Sequence, residues 1–287
     1  MGLKSFFKAQ KAYKAHADGD AKTAMRLYEE AMADGMDQPR YLLSYSVLLI
    51  RDGQYEKARK ILVDMQRHPS LTPDQKTELF VDYAACAFRM GELDKAVNLL
   101  TRQHQHAPSG LLYQTLGYLL VEKFSPEHTP VFDALEAAAA AEELPPEEPS
   151  ANEENGQAED AEAAAVPEAP AVPSPREKWQ QGLAEAEAFL AEAVDYDDED
   201  AICLDNMGQF LYRVKGDREG ARAWFDRAIG LKPNQIDTLW FLSRYDLESG
   251  NKAAALEKLH RAAEGRFSPL NYVSKAAIEA EIASLEG

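Results

Sequence analysis

The side chains best suited to chemistry lie in three short stretches of the chain. Cys86 has Arg89 three positions further on, and a nearby guanidinium lowers the pKa of a thiol and so favours the reactive thiolate. No histidine base is implied nearby, so we interpret Cys86 as a buried structural thiol.

His104 and His106 are two positions apart near a predicted helix end. Helical metal ligands are better placed four positions apart, so we interpret this pair as polar groups at a helix C-terminus.

The third stretch is the acidic cluster DYDDED at residues 195–200. An EF-hand calcium loop needs Gly at its sixth position and Glu at its twelfth. Counted from Asp195, those positions hold Asp200 and Asn206. We therefore interpret the cluster as a turn between helices, whose acids lie favourably at the N-terminus of the next helix.

Signatures of known catalytic sites are missing from the sequence. The chain contains no GxGxxG, GxxxxGK[ST], HExxH or GxSxG pattern, which mark dinucleotide, phosphate, zinc-protease and hydrolase sites. We therefore expect no enzyme activity, no cofactor and no metal site.

Composition narrows the class of partner. The 287 residues are 45% hydrophobic, carry a formal net charge of −18 and have a pI near 4.8. Such a field is poorly suited to nucleic acid or to an anionic membrane, and no run approaches the roughly 18 apolar residues of a membrane helix. Cys86 and Cys203 fit buried free thiols in a reducing cytoplasm. We expect a cytoplasmic protein whose partner is another protein or a peptide.

The elements that position these side chains are most readable at residues 204–233. This stretch predicts two short helices, each with one apolar face, joined by a turn at Gly216 and ended by Pro233. The residues of the two faces are Leu204, Met207, Gly208 and Leu211, then Ala221, Phe225 and Ala228. One such pair cannot bury both faces alone, so it must stack on pairs like itself.

The same pattern recurs along the chain. Ala24 and Ala58 are 34 positions apart, and so are Ala221 and Ala255. The first helix has the order large-x-x-large-small, and a glycine turn follows it. The second helix has the order small-x3-aromatic-x2-small and is closed by a proline. This pattern resembles the tetratricopeptide repeat. The resemblance implies an all-α, right-handed α-α superhelix of six degenerate repeats with a C-terminal capping helix.

The repeats define three predicted regions. Between Lys123 and Arg176 there is no Lys or Arg, and Ala, Glu and Pro dominate, which is typical of a disordered acidic segment. The N-terminal array at 1–124 contains repeats 5–38, 39–72 and 77–110 and the first helix of a fourth repeat at 110–123. The acidic insertion covers 125–176. The C-terminal array at 177–287 contains the second helix of the fourth repeat at 183–195, repeats 201–234 and 236–269, and the capping helix 270–285.

Two segments compete to complete the fourth repeat. Residues 131–143 could form its second helix, or residues 183–195 could. We favour the second, because Ala186, Leu190 and Ala193 keep the small-large-small order and the next repeat follows at once. The insertion is then a tether, a partner-binding segment or a cover for the groove.

The resemblance implies a groove lined by the first helix of each repeat. Aligning the copies gives these candidate partner-binding residues: Tyr13, Arg40, Val47, Arg51, Phe88, Arg89, Gln114, Tyr118, Asp205, Gln209, Tyr212, Trp240 and Arg244. Tyr, Trp and Arg are common interface hot spots, although each aromatic could instead pack on the neighbouring repeat. The clamp that some members use for a chaperone's terminal carboxylate is not expected. Its Lys-x3-Asn corresponds to Ala9 and Tyr13, and its Lys-x3-Arg corresponds to Glu78 and Asp82.

The resulting functional hypothesis is a non-enzymatic scaffold or adaptor that binds a peptide or a partner protein. The alternative is a regulatory sensor for a short signalling peptide, as in some bacterial relatives, although no effector domain is visible. An enzyme with unrecognised chemistry ranks last.

Overall fold

The computed structural model describes residues 2–136 and 173–287, and their regular secondary structure is helical. The α-helices are α1 (Leu3–Ala17), α2 (Ala21–Ala33), α3 (Pro39–Arg51), α4 (Tyr55–Met65), α5 (Pro73–Arg89), α6 (Leu93–His106), α7 (Gly110–Phe124), α8 (Pro175–Tyr196), α9 (Ala201–Gln209), α10 (Arg218–Leu231), α11 (Ile236–Glu248), α12 (Lys252–Ala263) and α13 (Lys275–Glu286). A 3-10 turn follows α7 at Pro126–His128, and α9 continues as a π-helix over Phe210–Lys215.

Successive helices pack as antiparallel pairs, and the pairs stack on one another. The small-large-small positions of each second helix have no exposed surface. They are Ala24, Tyr28 and Ala31 in α2, Ala58 and Leu62 in α4, Ala96 and Leu100 in α6, Ala221, Phe225 and Ala228 in α10, and Ala255, Leu259 and Ala262 in α12. The small residues let the paired helix approach closely while the large one fills the space between pairs. The prediction of an all-α array of helical pairs is confirmed.

Glycine makes the tight turns inside two of the pairs possible. Gly53 lies between α3 and α4 at φ 79°, and Gly250 lies between α11 and α12 at φ 78°. A residue with a Cβ is strained in this left-handed region. The 34-residue period of the sequence therefore carries a backbone requirement as well as an apolar pattern.

The described chain divides into two compact units, residues 1–128 with 186–287, and residues 129–185. In the first unit, α7 packs against the part of α8 that begins at Ala186. Leu190 and Ala193 are fully buried, and the Tyr113 hydroxyl donates to Glu192 Oε1 at 2.6 Å. These contacts pack residues 190–193 against α7.

The second unit has its own local contacts. Residues 132–136 are helical, and the Arg176 guanidinium lies over the Phe132 ring at 4.8 Å and pairs with Asp133 at 3.3 Å. Leu135 is 45% exposed. The rest of the alternative helix, residues 137–143, lies outside the described residues.

The π-helix absorbs an irregularity of the sequence. The turn RVKGD after α9 is one residue longer than the repeat pattern requires, and a single extra residue is commonly accommodated by a π-turn. Arg213 then points inward, where its Nη1 donates to Glu122 Oε1 at 2.6 Å and to Gln209 Oε1 at 3.2 Å.

The capping helix begins later than predicted. The sequence places its start at Leu270, whereas α13 begins at Lys275. The buried Asp237 carboxylate accepts hydrogen bonds from the backbone N–H groups of Tyr272 at 3.1 Å and Val273 at 3.4 Å. Ser274 then caps α13 by accepting from the Ala277 N–H at 3.2 Å. Residues 264–274 consequently form a loop, which we call the C-terminal loop.

Candidate functional site

The first helices of successive pairs line two adjacent cavities in the larger unit. One, of about 450 Å³, is formed by α3, α5, α7, α9, α11 and the C-terminal loop. The other, of about 510 Å³, is formed by α1, α3, α5, Leu111 of α7 and Arg266 of the C-terminal loop. We call the two together the inner groove. They share the lining residues Val47, Arg51, Val81, Asp82, Leu111 and Arg266.

Eight of the thirteen predicted partner-binding residues line the inner groove. They are Tyr13, Arg40, Val47, Arg51, Gln114, Tyr118, Asp205 and Gln209. Several already have internal contacts. The Arg40 guanidinium lies over the Tyr13 ring at 4.2 Å, and Gln114 Nε2 donates to Asp200 Oδ2 at 2.5 Å. The groove therefore combines pre-positioned polar groups with half-buried aliphatic ones.

Two other predicted residues lie near the groove's edge. The Phe88 ring packs edge-on against the Tyr118 ring, with centroids 5.8 Å apart. Arg89 is exposed, and its Nε donates to the Tyr55 hydroxyl at 3.3 Å. Neither residue lines the two groove cavities.

The last three predicted residues make contacts with other side chains of the protein. Tyr212 packs against Phe241, with ring centroids 5.0 Å apart. Trp240 Nε1 donates to Glu281 Oε2 at 3.1 Å, and Arg244 forms an ion pair with the same carboxylate. Because Glu281 belongs to α13, the capping helix covers the polar ends of Trp240 and Arg244.

The C-terminal loop supplies groove residues that the sequence did not identify. Arg266, Ser268, Pro269, Leu270 and Asn271 all line the cavity of about 450 Å³. Leu270 also packs against the apolar cluster formed by α1 to α5 and against the one formed by α5 to α7. Gly265 and Pro269 in the sequence indicate a break after α12, but no local pattern indicates where the loop goes.

Burial raises the pKa of three acidic side chains in the groove. Burial raises the pKa of Asp205 to about 6. Burial, and then the negative charge of Asp205, raise the pKa of Asp237 to about 7. For Asp82, burial and then the charge of Glu78 raise the pKa to about 8. At neutral pH the groove is consequently less negative than its sequence suggests.

Basic side chains meet where the cavities join. Arg51 and Arg266 line both groove cavities and a third, of about 680 Å³, that also contains His16, Gly19 and Lys22. Burial, and then the positive charge of Arg266, lower the pKa of Arg51. Both side chains are exposed, and the negative charge of Asp82 acts in the opposite direction on the pKa of Arg51.

Groups that could support other chemistry are not assembled in the part of the chain that the structure describes. No cluster of three or more His, Cys, Asp or Glu side chains there could hold a metal ion. Both cysteines are buried, and burial raises the pKa of Cys86 and of Cys203 to about 12, which disfavours a reactive thiolate. Among these residues no helix has the length and apolar character needed to span a bilayer.

Comparison with known proteins agrees with this architecture. A family model described as tetratricopeptide repeat matches residues 15–69. The match to this family covers those residues only. A thermophilic tetratricopeptide-repeat protein of Thermus thermophilus is 17% identical over 87% of this chain and 99% of its own, with a TM-score of 0.55. A monomeric IFIT1 mutant with m7Gppp-AAAA is 16% identical over 92% of this chain and 48% of its own, with a TM-score of 0.51. At these identities the likeness of the chain to both structures shows the fold alone. No curated protein matches its sequence significantly.

Proposed function

We propose that the chain is a non-enzymatic scaffold or adaptor that binds an extended segment of another protein in the inner groove. The observation that carries this proposal is the pair of adjoining cavities, of about 450 and 510 Å³, that follow the first helices of successive repeats. Pockets of this size enclose several side chains of a ligand, and neighbouring cavities suit a chain more than a single small molecule.

The lining supports a peptide as the ligand. Val47 and Leu111 offer apolar surface in both cavities, and Asn234 and Lys232 add polar groups at the turn between α10 and α11. A peptide presents the complementary set, because its side chains alternate with backbone N–H and C=O groups that need hydrogen-bond partners.

A second candidate is a sensor that binds a short signalling peptide. The C-terminal loop favours it, since Ser268 to Asn271 form one wall of the cavity of about 450 Å³ and so limit the length of segment that fits. A nucleic acid is a poorer candidate despite the capped oligonucleotide of the IFIT1 structure, because the chain carries a net charge of −18.

A display library of random peptides, selected on the purified full chain, tests the proposal. We expect selected peptides to bind the wild type and to lose binding to Val47→Trp, which fills the groove where the two cavities meet. The matched control is Val63→Trp on α4, a site that is 50% exposed and lines neither cavity. Equal binding to both variants and the wild type would contradict the proposal.

A further inference from the structure

A second groove lies between α4 and α6, which both pack against α5. Its volume is about 550 Å³, and it shares no lining residue with the two cavities of the inner groove. Opposite faces of α5 separate the two grooves, since Val81 and Asp82 line the inner groove whereas Phe80 and Tyr83 line this one. We call it the outer groove.

The floor of the outer groove is apolar and already packed. Leu62 and Leu79 are buried beneath it. Phe80 and Tyr83 pack against both apolar clusters, the one formed by α1 to α5 and the one formed by α5 to α7. Val63 at the edge is 50% exposed. Side chains held in this way need little reordering when a ligand binds, which favours affinity.

The charges that line the outer groove are opposite in sign to the charge of the chain. The sequence has 49 acidic and 31 basic residues, and carboxylates line each of the other three cavities described above, Asp82 in two and Asp52 in the third. Among the described residues that line the outer groove there is no carboxylate, and its two charged residues are Lys95 and Arg102.

An ion-pair network lies at one end of the outer groove. Arg59 of α4 and Lys95 of α6 both pair with Glu92, at 3.0 and 2.8 Å. With Arg102, this end and side of the groove carry three positive charges against one negative charge. Physiological salt screens charges beyond about 8 Å, so a bound ligand is affected mainly by this local positive excess.

The geometry of α6 favours a helix as the ligand. Lys95 and Arg102 are seven positions apart, so they lie on one face of α6, about 10 Å apart along its axis. Leu99 lies between them and lines the same groove. A helix laid along this face can place two acidic residues, also seven positions apart, beside the two cations while its apolar stripe covers the floor.

We propose that the outer groove binds an amphipathic helix of a partner protein, with acidic residues beside its apolar face. The helix contacts α4, α5 and α6 and leaves the inner groove open, because the two grooves share no lining residue. The chain can therefore hold two partners at once, on opposite faces of α5.

Fluorescence anisotropy of a helical peptide of about 18 residues, added to the full chain, tests this site. The peptide carries Leu at i, i+3, i+4 and i+7 and two Glu residues, seven positions apart, beside the Leu face. We expect saturable binding, weakened about threefold when both Glu are changed to Gln and at least about tenfold when both are changed to Lys. Val63→Asp, which puts a carboxylate at the edge of the apolar floor, should weaken binding at least about tenfold.

Charge reversal tests the proposed orientation. Arg102→Glu should invert the order of the peptides, so that the Lys peptide binds more tightly than the Glu peptide. The matched control is Arg222→Glu on α10, which changes the net charge equally at an exposed position that lines none of the four cavities. Val47→Trp, which fills the inner groove, should leave the affinity within about twofold.

Contrary results are distinct from a failure of the inner groove. An unchanged order of the peptides in Arg102→Glu, the same inversion in Arg222→Glu, or full affinity in Val63→Asp would overturn the site. Loss of binding in Val47→Trp would move the peptide to the inner groove, which overturns this inference and leaves the scaffold function intact. A photocrosslinker at position 63 of the chain alone that captures a second copy, or another segment of the same chain, would overturn the assignment to a partner.

Discussion

Arg213 and Glu122 form a buried ion pair between side chains that are 91 positions apart in sequence. The two side chains are 6% and 9% exposed, and the nitrogen and oxygen atoms are 2.6 Å apart. The Arg213 guanidinium also lies over the Tyr272 ring at 3.9 Å. The pair consequently connects α7, the π-helix and the C-terminal loop.

Glu122→Ala should destabilise the protein by about 3–5 kcal/mol, because it leaves the Arg213 charge buried without a partner. The double variant Glu122→Leu with Arg213→Met should recover much of that loss, since it removes both charges. Urea unfolding of the three proteins measures the difference. A single variant as stable as the wild type would show that water reaches Arg213.

Asp82→Asn should stabilise the protein increasingly as the pH rises. The raised pKa of Asp82, about 8, means that the folded state keeps a proton that the unfolded state has lost. The contribution of Asp82 to stability is therefore full below its unfolded pKa and is lost as the pH rises towards about 8. The side chain is only half-buried, so we expect a gain of about 1–2 kcal/mol at pH 8.

Urea unfolding of wild type and Asp82→Asn at pH 5, 6.5 and 8 checks this dependence. Asp64→Asn, at an exposed position of α4, is the control and should follow the wild type at each pH. Parallel stability profiles for wild type and Asp82→Asn would contradict the assignment.

Glu281→Ala should weaken the attachment of the capping helix without affecting the inner groove. The change removes the carboxylate that accepts from Trp240 Nε1 and pairs with Arg244. We expect a loss of about 1–3 kcal/mol in unfolding free energy and a red shift of tryptophan fluorescence. Binding of groove-selected peptides should stay within twofold, and a larger loss would place Trp240 and Arg244 in the binding site.

Leu190→Ala should cost about 2–5 kcal/mol, because Leu190 is fully buried beside α7. Leu135→Ala, at a position that is 45% exposed, should change stability by less than about 0.5 kcal/mol. Thermal and urea unfolding compare the two. The reverse order would assign the structural role in the fourth repeat to the segment that begins at residue 131.

The repeat signatures could be read from the sequence because they act locally. The spacing of Ala24, Tyr28 and Ala31 puts them on one face of α2, and this face packs against a neighbouring helix. All three residues are accordingly buried. The eight groove residues follow from the same register.

Other parts of the site depend on contacts that no local pattern encodes. The C-terminal loop is held by Asp237, more than thirty positions away. The π-helix changes the direction of the side chains that follow it, and Tyr212 packs against Phe241. Arg266 belongs to no repeat position, so the family pattern could not identify it.

The contact between α7 and α8 also sets an expected order of folding. The two helices meet through Tyr113 and Glu192, which are 79 positions apart, whereas the other helical pairs close over turns of a few residues. Closing the longer loop costs about 2 kcal/mol more in chain entropy. Contacts between near neighbours form fastest, so the early and late repeats should each nucleate independently. The docking of residues 186–196 onto α7 then becomes the last step, and the one that mutations on either side of that contact should slow.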